Sequence, residues 1–304
     1  MPFELPDELK FITNGRLPQK HSNESMEDKV CVISGATSGV GYEAAKALAK
    51  GGAKIVMLVR NPEKAEKVSQ EISAINNKET KYFLADFTKL DLVRKAVNQC
   101  LEACPKIHVL INSVGIHNTT RRLTEDGHEM VFYVNHLSNF LVTKMMIPRL
   151  IGSSPSRIIH INSEGHRFGG LNLSDLNWEK RMYLGLGGYG AAKTAQLLTM
   201  LEFNDQLIDT GVTINAMHPG AVKTNIGNNN GFLYRFWLHN VMFHFMKDPD
   251  VAGDAVYYLA SAPELERASG KFFNLTNEEK PAAHALDRFV SKLIFQKSEE
   301  LISE

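Results

Sequence analysis

Val30-Cys31-Val32-Ile33-Ser34-Gly35-Ala36-Thr37-Ser38-Gly39-Val40-Gly41 is the stretch on which the fold turns. Its first four residues form an apolar run of the length of a buried strand, closed by Ser34-Gly35. From Gly39 to Ala49 small and apolar residues recur at helical spacing, and Gly51-Gly52 stops the helix. Between strand and helix, Gly35, Gly39 and Gly41 permit a tight turn and the close approach of a pyrophosphate. The free amides at the helix start would face that negative charge. A plain strand–helix turn also fits three spaced glycines. The place of the motif, after the first strand and opening the first helix, favours a dinucleotide.

Outward from this turn the alternation continues. Residues 54–59 read as a second strand, 61–76 as a helix begun by Pro62, and 82–85 as a third strand. A helix over 90–103 precedes a strand over 107–111, and a long helix over 125–150 is interrupted by Pro148. Strands at 157–161, 213–216 and 270–274 alternate with helices at 189–210 and 250–261. Strands that are apolar almost throughout, separated by amphipathic helices, predict an α/β fold: a doubly wound parallel sheet covered on both faces. No repeat or linker divides it. Residues 1–28 read as an irregular arm, 29–280 as one nucleotide-binding catalytic domain, and 281–304 as a C-terminal helical extension. Such sheets bind ligands beyond the C-terminal ends of their strands, so the chemistry belongs just after each strand.

With 304 residues, 43% of them apolar, the chain can bury a large core without a disulfide or metal staple. Lys+Arg and Asp+Glu both number 34, and this balance argues against a nucleic-acid groove. Cys31, Cys100 and Cys104 cannot make a disulfide framework and read as reduced thiols, which suits a reducing, cytoplasmic location. Residues 1–28 mix charges with prolines and lack the apolar core of a signal peptide. No stretch approaches the ~20 apolar residues of a membrane span.

The position after the second strand selects the cofactor. An acidic residue there would bond the ribose hydroxyls and suit NAD. Leu58-Val59-Arg60-Asn61 instead places a guanidinium, which suits the additional phosphate of NADP(H). The alternative is a surface Arg60 paired with Glu63.

The spacing Ser34-Gly-x-x-x-Gly-x-Gly41, with Tyr189-Gly190-Ala191-Ala192-Lys193 far downstream, resembles the short-chain dehydrogenase/reductase family over about residues 28–280. The resemblance implies a Rossmann fold and a cofactor site built from Gly35, Thr37, Ser38, Gly39, Val40 and Gly41. Asp86 and Phe87 after the third strand resemble the adenine-holding position. Asn112-Ser113-Val114-Gly115 resembles the family's Asn-Asn-Ala-Gly motif with two substitutions, which makes Asn112 and Gly115 cofactor contacts. Pro219, Gly220, Val222 and Thr224 match the loop bordering the nicotinamide carboxamide. Asn135, Ser163, Tyr189 and Lys193 match the catalytic set, with Asn135 expected to support a water relay towards Lys193. Asn162 stands where the family usually has a first serine.

Tyr189 and Lys193 lie four apart at a helix start and so share a face. A free tyrosine has a pKa near ~10, which a nearby ammonium and a charged nicotinamide would lower. Lys193 can also hold the nicotinamide ribose. Ser163, ending the fifth strand, can steady a substrate oxygen as charge develops on it. Residues 169–188 read as an insertion near the substrate mouth, an arrangement similar to the retinol-dehydrogenase-like branch, as are Val134-Asn135-His136-Leu137 and His218-Pro219-Gly220.

His136, His160, His166 and His218 have no metal-ligand spacing and read as local structure, with no metal expected. His166 alone follows Ser163 closely. Phe232, Tyr234, Phe236, Trp237, Phe243 and Phe245 make 231–247 the most aromatic stretch of the chain. It reads as part of a substrate lid over 224–247, with a core helix or a membrane-surface helix as alternatives. The expected function is hydride transfer between NADP(H) and a carbonyl or alcohol carbon of an apolar small molecule. A homo-oligomer is frequent in the family and is not fixed by these residues. Two rivals are a noncatalytic NADP-sensing protein, which would need no Tyr–Lys–Ser set, and a nucleotide-dependent group transferase, which would want an acid at position 60.

Overall fold

The computed structural model describes residues 17–220 and 250–303; Val222, Thr224 and the 224–247 stretch lie outside the described residues. The chain runs β1 (Val30–Ser34), α1 (Gly39–Lys50), β2 (Lys54–Val59), α2 (Pro62–Asn76), β3 (Lys81–Leu84), α3 (Leu90–Ala103) and β4 (Val109–Asn112). It continues with α4 (Ser138–Ile151), β5 (Ser156–Ile161), α5 (Gly185–Gln206), β6 (Val212–His218), α6 (Asp250–Ser261), β7 (Phe272–Asn274), β8 (Asn277–Glu279) and α7 (Arg288–Leu301). The strands form one sheet in the order β3-β2-β1-β4-β5-β6-β7-β8, parallel except for β8.

Alternate residues of the inner strands feed two cores. Cys31 and Ile33 of β1 pack with Ile55 and Met57 of β2 against α1 and α6. Val32, Val56 and Leu58 face the other side, with α3, α4 and α5. Burial on both faces is what an uninterrupted apolar strand requires. The order of strands reverses direction at β1 and β4, so their C-terminal ends open a crevice there.

Three elements differ from the sequence expectation. Residues 125–129 form a turn, not the start of a long helix, with the Gly127 amide donating to the Thr124 carbonyl at 3.0 Å. The helix begins at Met130, where the Glu129 carboxylate accepts the amides of Val131 (3.0 Å) and Phe132 (2.7 Å). Tyr133–Leu137 then widens into a π-helical turn before α4. Pro148 stands inside α4 and does not end it. Strand β8 was not legible because Asn277-Glu278-Glu279 is wholly polar; it pairs antiparallel at the sheet edge, where Glu279 is nonetheless buried. Helix α5 starts at Gly185, ahead of the expected Tyr189.

The C-terminal segment is integral to the domain. Helix α7 lies on α5, with Ser291 Oγ donating to the Leu198 carbonyl at 2.7 Å and Phe295 edge-on to Phe140 and Phe203. Residues 17–28 run irregularly along α6 and the β7–β8 turn, where the Lys20 amide donates to Thr276 Oγ1 at 2.8 Å. All three cysteines are buried free thiols. Among the described residues no helix is long and apolar enough to cross a membrane.

His136 in the π-helical turn meets Ser298 Oγ of α7 at 2.8 Å, and His160 lies inside β5. Burial holds both neutral and pushes each down to about 3. The unfolded chain takes up these protons near pH ~6.5. The stability they support is therefore complete above that pH and drains away as pH falls towards 3. The urea midpoint is expected to drop between pH 7 and pH 4.5, and His136→Gln should shrink that drop. An identical drop in the variant would show that His136 is not one of the groups responsible.

Candidate active site

The crevice holds a cleft of about 600 Å³ running from the β2 end to the β6 end. Its floor is the first turn. Gly35 (φ +72) and Gly39 (φ +58) occupy left-handed backbone that a side chain would strain. Ser34 Oγ accepts the amides of Ser113 (3.0 Å) and Val114 (3.3 Å), which stitches β1 to the loop after β4. Thr37, Ser38, Gly39 and Val40 line the cleft as expected from their place at the helix start. Gly41 does not line it. A Cβ there would stand 2.6 Å from the Gly35 carbonyl, so Gly41 lets α1 press against the turn.

Arg60 lies at the far end, exposed, beside Asn61, Lys64 and Asp86. Among the described residues it forms no ion pair with Glu63, and Arg60 borders this cleft. Lys64 is a second cation there that sequence reasoning missed; Asn61 Oδ1 caps its amide at 2.8 Å and fixes the first turn of α2. Asp86 Oδ1 accepts from the Thr88 amide and hydroxyl, and Phe87 and Gly115 complete this wall. Asn112 is a correction: it is buried away from the cleft, with Nδ2 donating to Thr143 Oγ1 at 2.8 Å, and ties β4 to α4. Pro219 and Gly220 line the other end.

Ser163, Tyr189 and Lys193 converge at that end. The turn after β5 packs backbone against backbone on the first turns of α5. A Cβ on Gly190 would stand 2.6 Å from the Gly165 carbonyl, and one on Gly165 would stand 2.7 Å from the Tyr189 ring. Ser163 and Tyr189 line the same end of the cleft, and the neighbouring Ser163 side chain favours the phenolate. Asn162 is built into the same contact: its Oδ1 accepts the Ser163 amide at 2.8 Å, and its Nδ2 donates to the Lys193 carbonyl at 3.0 Å. The asparagine thus braces the turn after β5 against α5.

Asn135 sits behind the wall, fully buried. Its Oδ1 accepts the Ile116 amide at 2.7 Å and its Nδ2 donates to the Ile116 carbonyl at 2.9 Å. The side chain is spent on clasping the loop after β4. The main-chain carbonyl of Asn135 accepts Asn139 Nδ2 at 3.0 Å and Gln196 Nε2 at 3.5 Å.

Desolvation dominates the electrostatics. Burial pushes Tyr189 up to about 12, partly opposed by the neighbouring Ser163 side chain. Burial pulls Lys193 down to about 7. Lys193 Nζ is 5.8 Å from the Tyr189 ring centroid and donates to the Ile161 carbonyl at 2.7 Å. His117 meets the Tyr189 ring edge-on at 5.6 Å. The 169–188 insertion is a pinned lobe, with Tyr183 Oη donating to the buried Glu129 at 3.1 Å and Arg181 stacked 3.5 Å over Trp178. Among the described residues no cluster of His, Cys, Asp or Glu could hold a metal.

A doubly wound sheet with a glycine-rich first turn and a Ser–Tyr–Lys set at its switch point defines a dinucleotide-dependent oxidoreductase. Residues 29–231 match the family model described as short chain dehydrogenase. The chain is 33% identical to retinol dehydrogenase 13 of Homo sapiens over 298 residues, 96% of this chain and 89% of that protein. Its structure resembles that of an uncharacterised protein from Mycobacterium paratuberculosis (TM-score 0.72, 26% identity, 92% and 95% of the two chains). In fold it also resembles a short chain dehydrogenase from Burkholderia cenocepacia J2315 in complex with NADP (TM-score 0.66, 21% identity, 83% and 98%). The chain belongs to the short-chain dehydrogenase family and is retinol-dehydrogenase-like. Members of this family are oxidoreductases that act on small molecules with a nicotinamide cofactor.

The close contact at Gly165 gives a direct test. Gly165→Ala must displace the Tyr189 ring. It is expected to lower kcat by roughly 10²-fold while cofactor binding, followed by fluorescence, is retained. Unchanged kcat would mean that the ring has room the packing denies it.

Proposed function

We propose that the protein transfers a hydride between NADP(H) and a carbonyl or alcohol carbon of an apolar small molecule. The observation that carries this reading is the single cleft joining Arg60 and Lys64 at one end to Ser163, Tyr189 and Lys193 at the other. The left-handed Gly35 and the Cβ-intolerant Gly41 fit a pyrophosphate laid over the first turn. Two cations, Arg60 and Lys64, with no acidic residue directly after β2, fit an additional phosphate. NADP in the Burkholderia cenocepacia complex supports that preference by analogy.

When bound, the nicotinamide would supply or accept the hydride. Tyr189, protonated throughout the neutral range, donates its phenolic proton to the carbonyl oxygen as the carbon is reduced. Ser163 donates a hydrogen bond to the same oxygen as its charge grows. Lys193 would grip the ribose and help return a proton to Tyr189, a task suited to an amine titrating near neutrality. Alcohol oxidation follows the same path backwards.

Exposed apolar residues flank the Tyr189 helix start: Phe168, Met182, Leu184 and Leu186. They support an apolar substrate, as do the names of the retinol dehydrogenases the chain is similar to. The reading of 224–247 as a substrate lid, and of a cytoplasmic location, belongs to the same proposal on sequence grounds. A noncatalytic NADP sensor would have no use for the convergence of Ser163, Tyr189 and Lys193.

Tyr189→Phe is expected to leave NADPH binding intact and to cut turnover about 10²–10⁴-fold in an absorbance assay over a carbonyl panel. Retained turnover would overturn the proton-donor assignment. Arg60→Asp is expected to weaken NADPH binding roughly 10–100-fold relative to NADH, the loss of a charge-assisted hydrogen bond. An unmoved NADPH/NADH ratio would refute the role given to Arg60.

A further inference from the structure

The turn that carries Ser163 is held from behind by one buried imidazole. His166 is wholly enclosed, with its ring edge-on to Phe272 at 5.1 Å. Its Nδ1 lies 2.7 Å from the Ser163 carbonyl oxygen, and its Nε2 lies 3.1 Å from the Ala282 backbone nitrogen. A backbone amide can only donate, so Nε2 is bare and the ring proton sits on Nδ1, where it donates to Ser163. One tautomer satisfies both bonds, and the ring is fixed between the catalytic turn and the segment after β8.

This bond bears on the direction of the Ser163 hydroxyl. Ser163 Oγ accepts the Gly165 amide at 3.0 Å. With that lone pair engaged, its own hydrogen remains free to serve a substrate oxygen in the cleft that Ser163 lines. The arrangement lasts only while the Ser163–Gly165 backbone keeps its shape. The main-chain bond closing the turn, from the His166 amide to the Ser163 carbonyl, is long at 3.2 Å, and the imidazole bond to the same carbonyl is the shorter one. Arg167 also ties the turn to β8 and the segment after it, through Glu164 (2.5 Å), Glu279 (2.6 Å) and the Lys280 carbonyl (2.9 Å), but none of these bonds is to the Ser163 carbonyl.

We propose that His166 is the positioning residue of Ser163: through Nδ1–H it clamps the Ser163 carbonyl and so keeps the hydroxyl aimed at the reacting oxygen. The inference rests on the hydride-transfer reading above for its kinetic consequence, and on geometry alone for the clamp.

Asparagine can place an amide N–H where Nδ1–H sits, whereas glutamine reaches only the Nε2 position. The experiment compares His166→Asn and His166→Gln in the full chain, with ¹⁵N NMR of the wild-type histidines beside them. His166→Asn is expected to keep kcat within about threefold of wild type, while His166→Gln loses roughly tenfold or more in kcat with KM and NADPH affinity little moved. The NMR is expected to show His166 as a neutral Nδ1–H tautomer. Equal kcat in the two variants, or a loss confined to KM, would overturn the proposal, and so would an Nε2–H tautomer whether or not the variants fold. A wild-type protein that reduces no carbonyl and oxidises no alcohol would count against the proposed reaction; the tautomer then decides the clamp by itself.

Discussion

The site depends on one contact: the turn after β5 lies directly on the first turns of α5, main chain against main chain. Gly190 and Gly165 remove the atoms that would hold the two apart. At that separation the Tyr189 ring rests on Gly165, Ser163 faces the same end of the cleft, and Lys193 one helical turn later reaches the Ile161 carbonyl. Side chains then lock the contact from both sides. Asn162 bonds to Ser163 and to the Lys193 carbonyl, while His166 and Arg167 bind the back of the turn to the C-terminal segment. Since close-packed interiors transmit small shifts, the position of the reacting groups inherits the precision of this packing.

Burial, more than pairwise charge, sets the chemistry of these groups. Removing water from Tyr189 disfavours the phenolate and keeps it a proton donor; removing it from Lys193 disfavours the ammonium. The same desolvation holds His136, His160 and His166 neutral, which makes them hydrogen-bonding struts.

Much of this was legible without coordinates. The apolar runs of β1, β2 and β5 announce strands buried on both faces, and the glycines after β1 announce a turn that something must approach closely. Tyr189 and Lys193 reveal themselves by helical spacing, and Arg60 by its place after β2. Other features were hidden for physical reasons. The turn at 125–129 carries residues that also suit a helix, and only the Glu129 cap and the Thr124–Gly127 bond show where the helix begins. Strand β8 is polar because it lies at an edge. Asn112 and Asn135 were identified as site residues by their positions, yet their amides serve Thr143 and Ile116.

The sequence by itself determined the class of fold, the order of its elements and the identities of Ser163, Tyr189 and Lys193, because each of these is encoded in local periodicity or in a short motif. Only the tertiary structure decided how those groups are charged and what orients them. Desolvation is a property of everything packed around a side chain. The far partners, Ala282 for His166 and Lys193 for Asn162, come from distant segments, and no spacing along the chain records them.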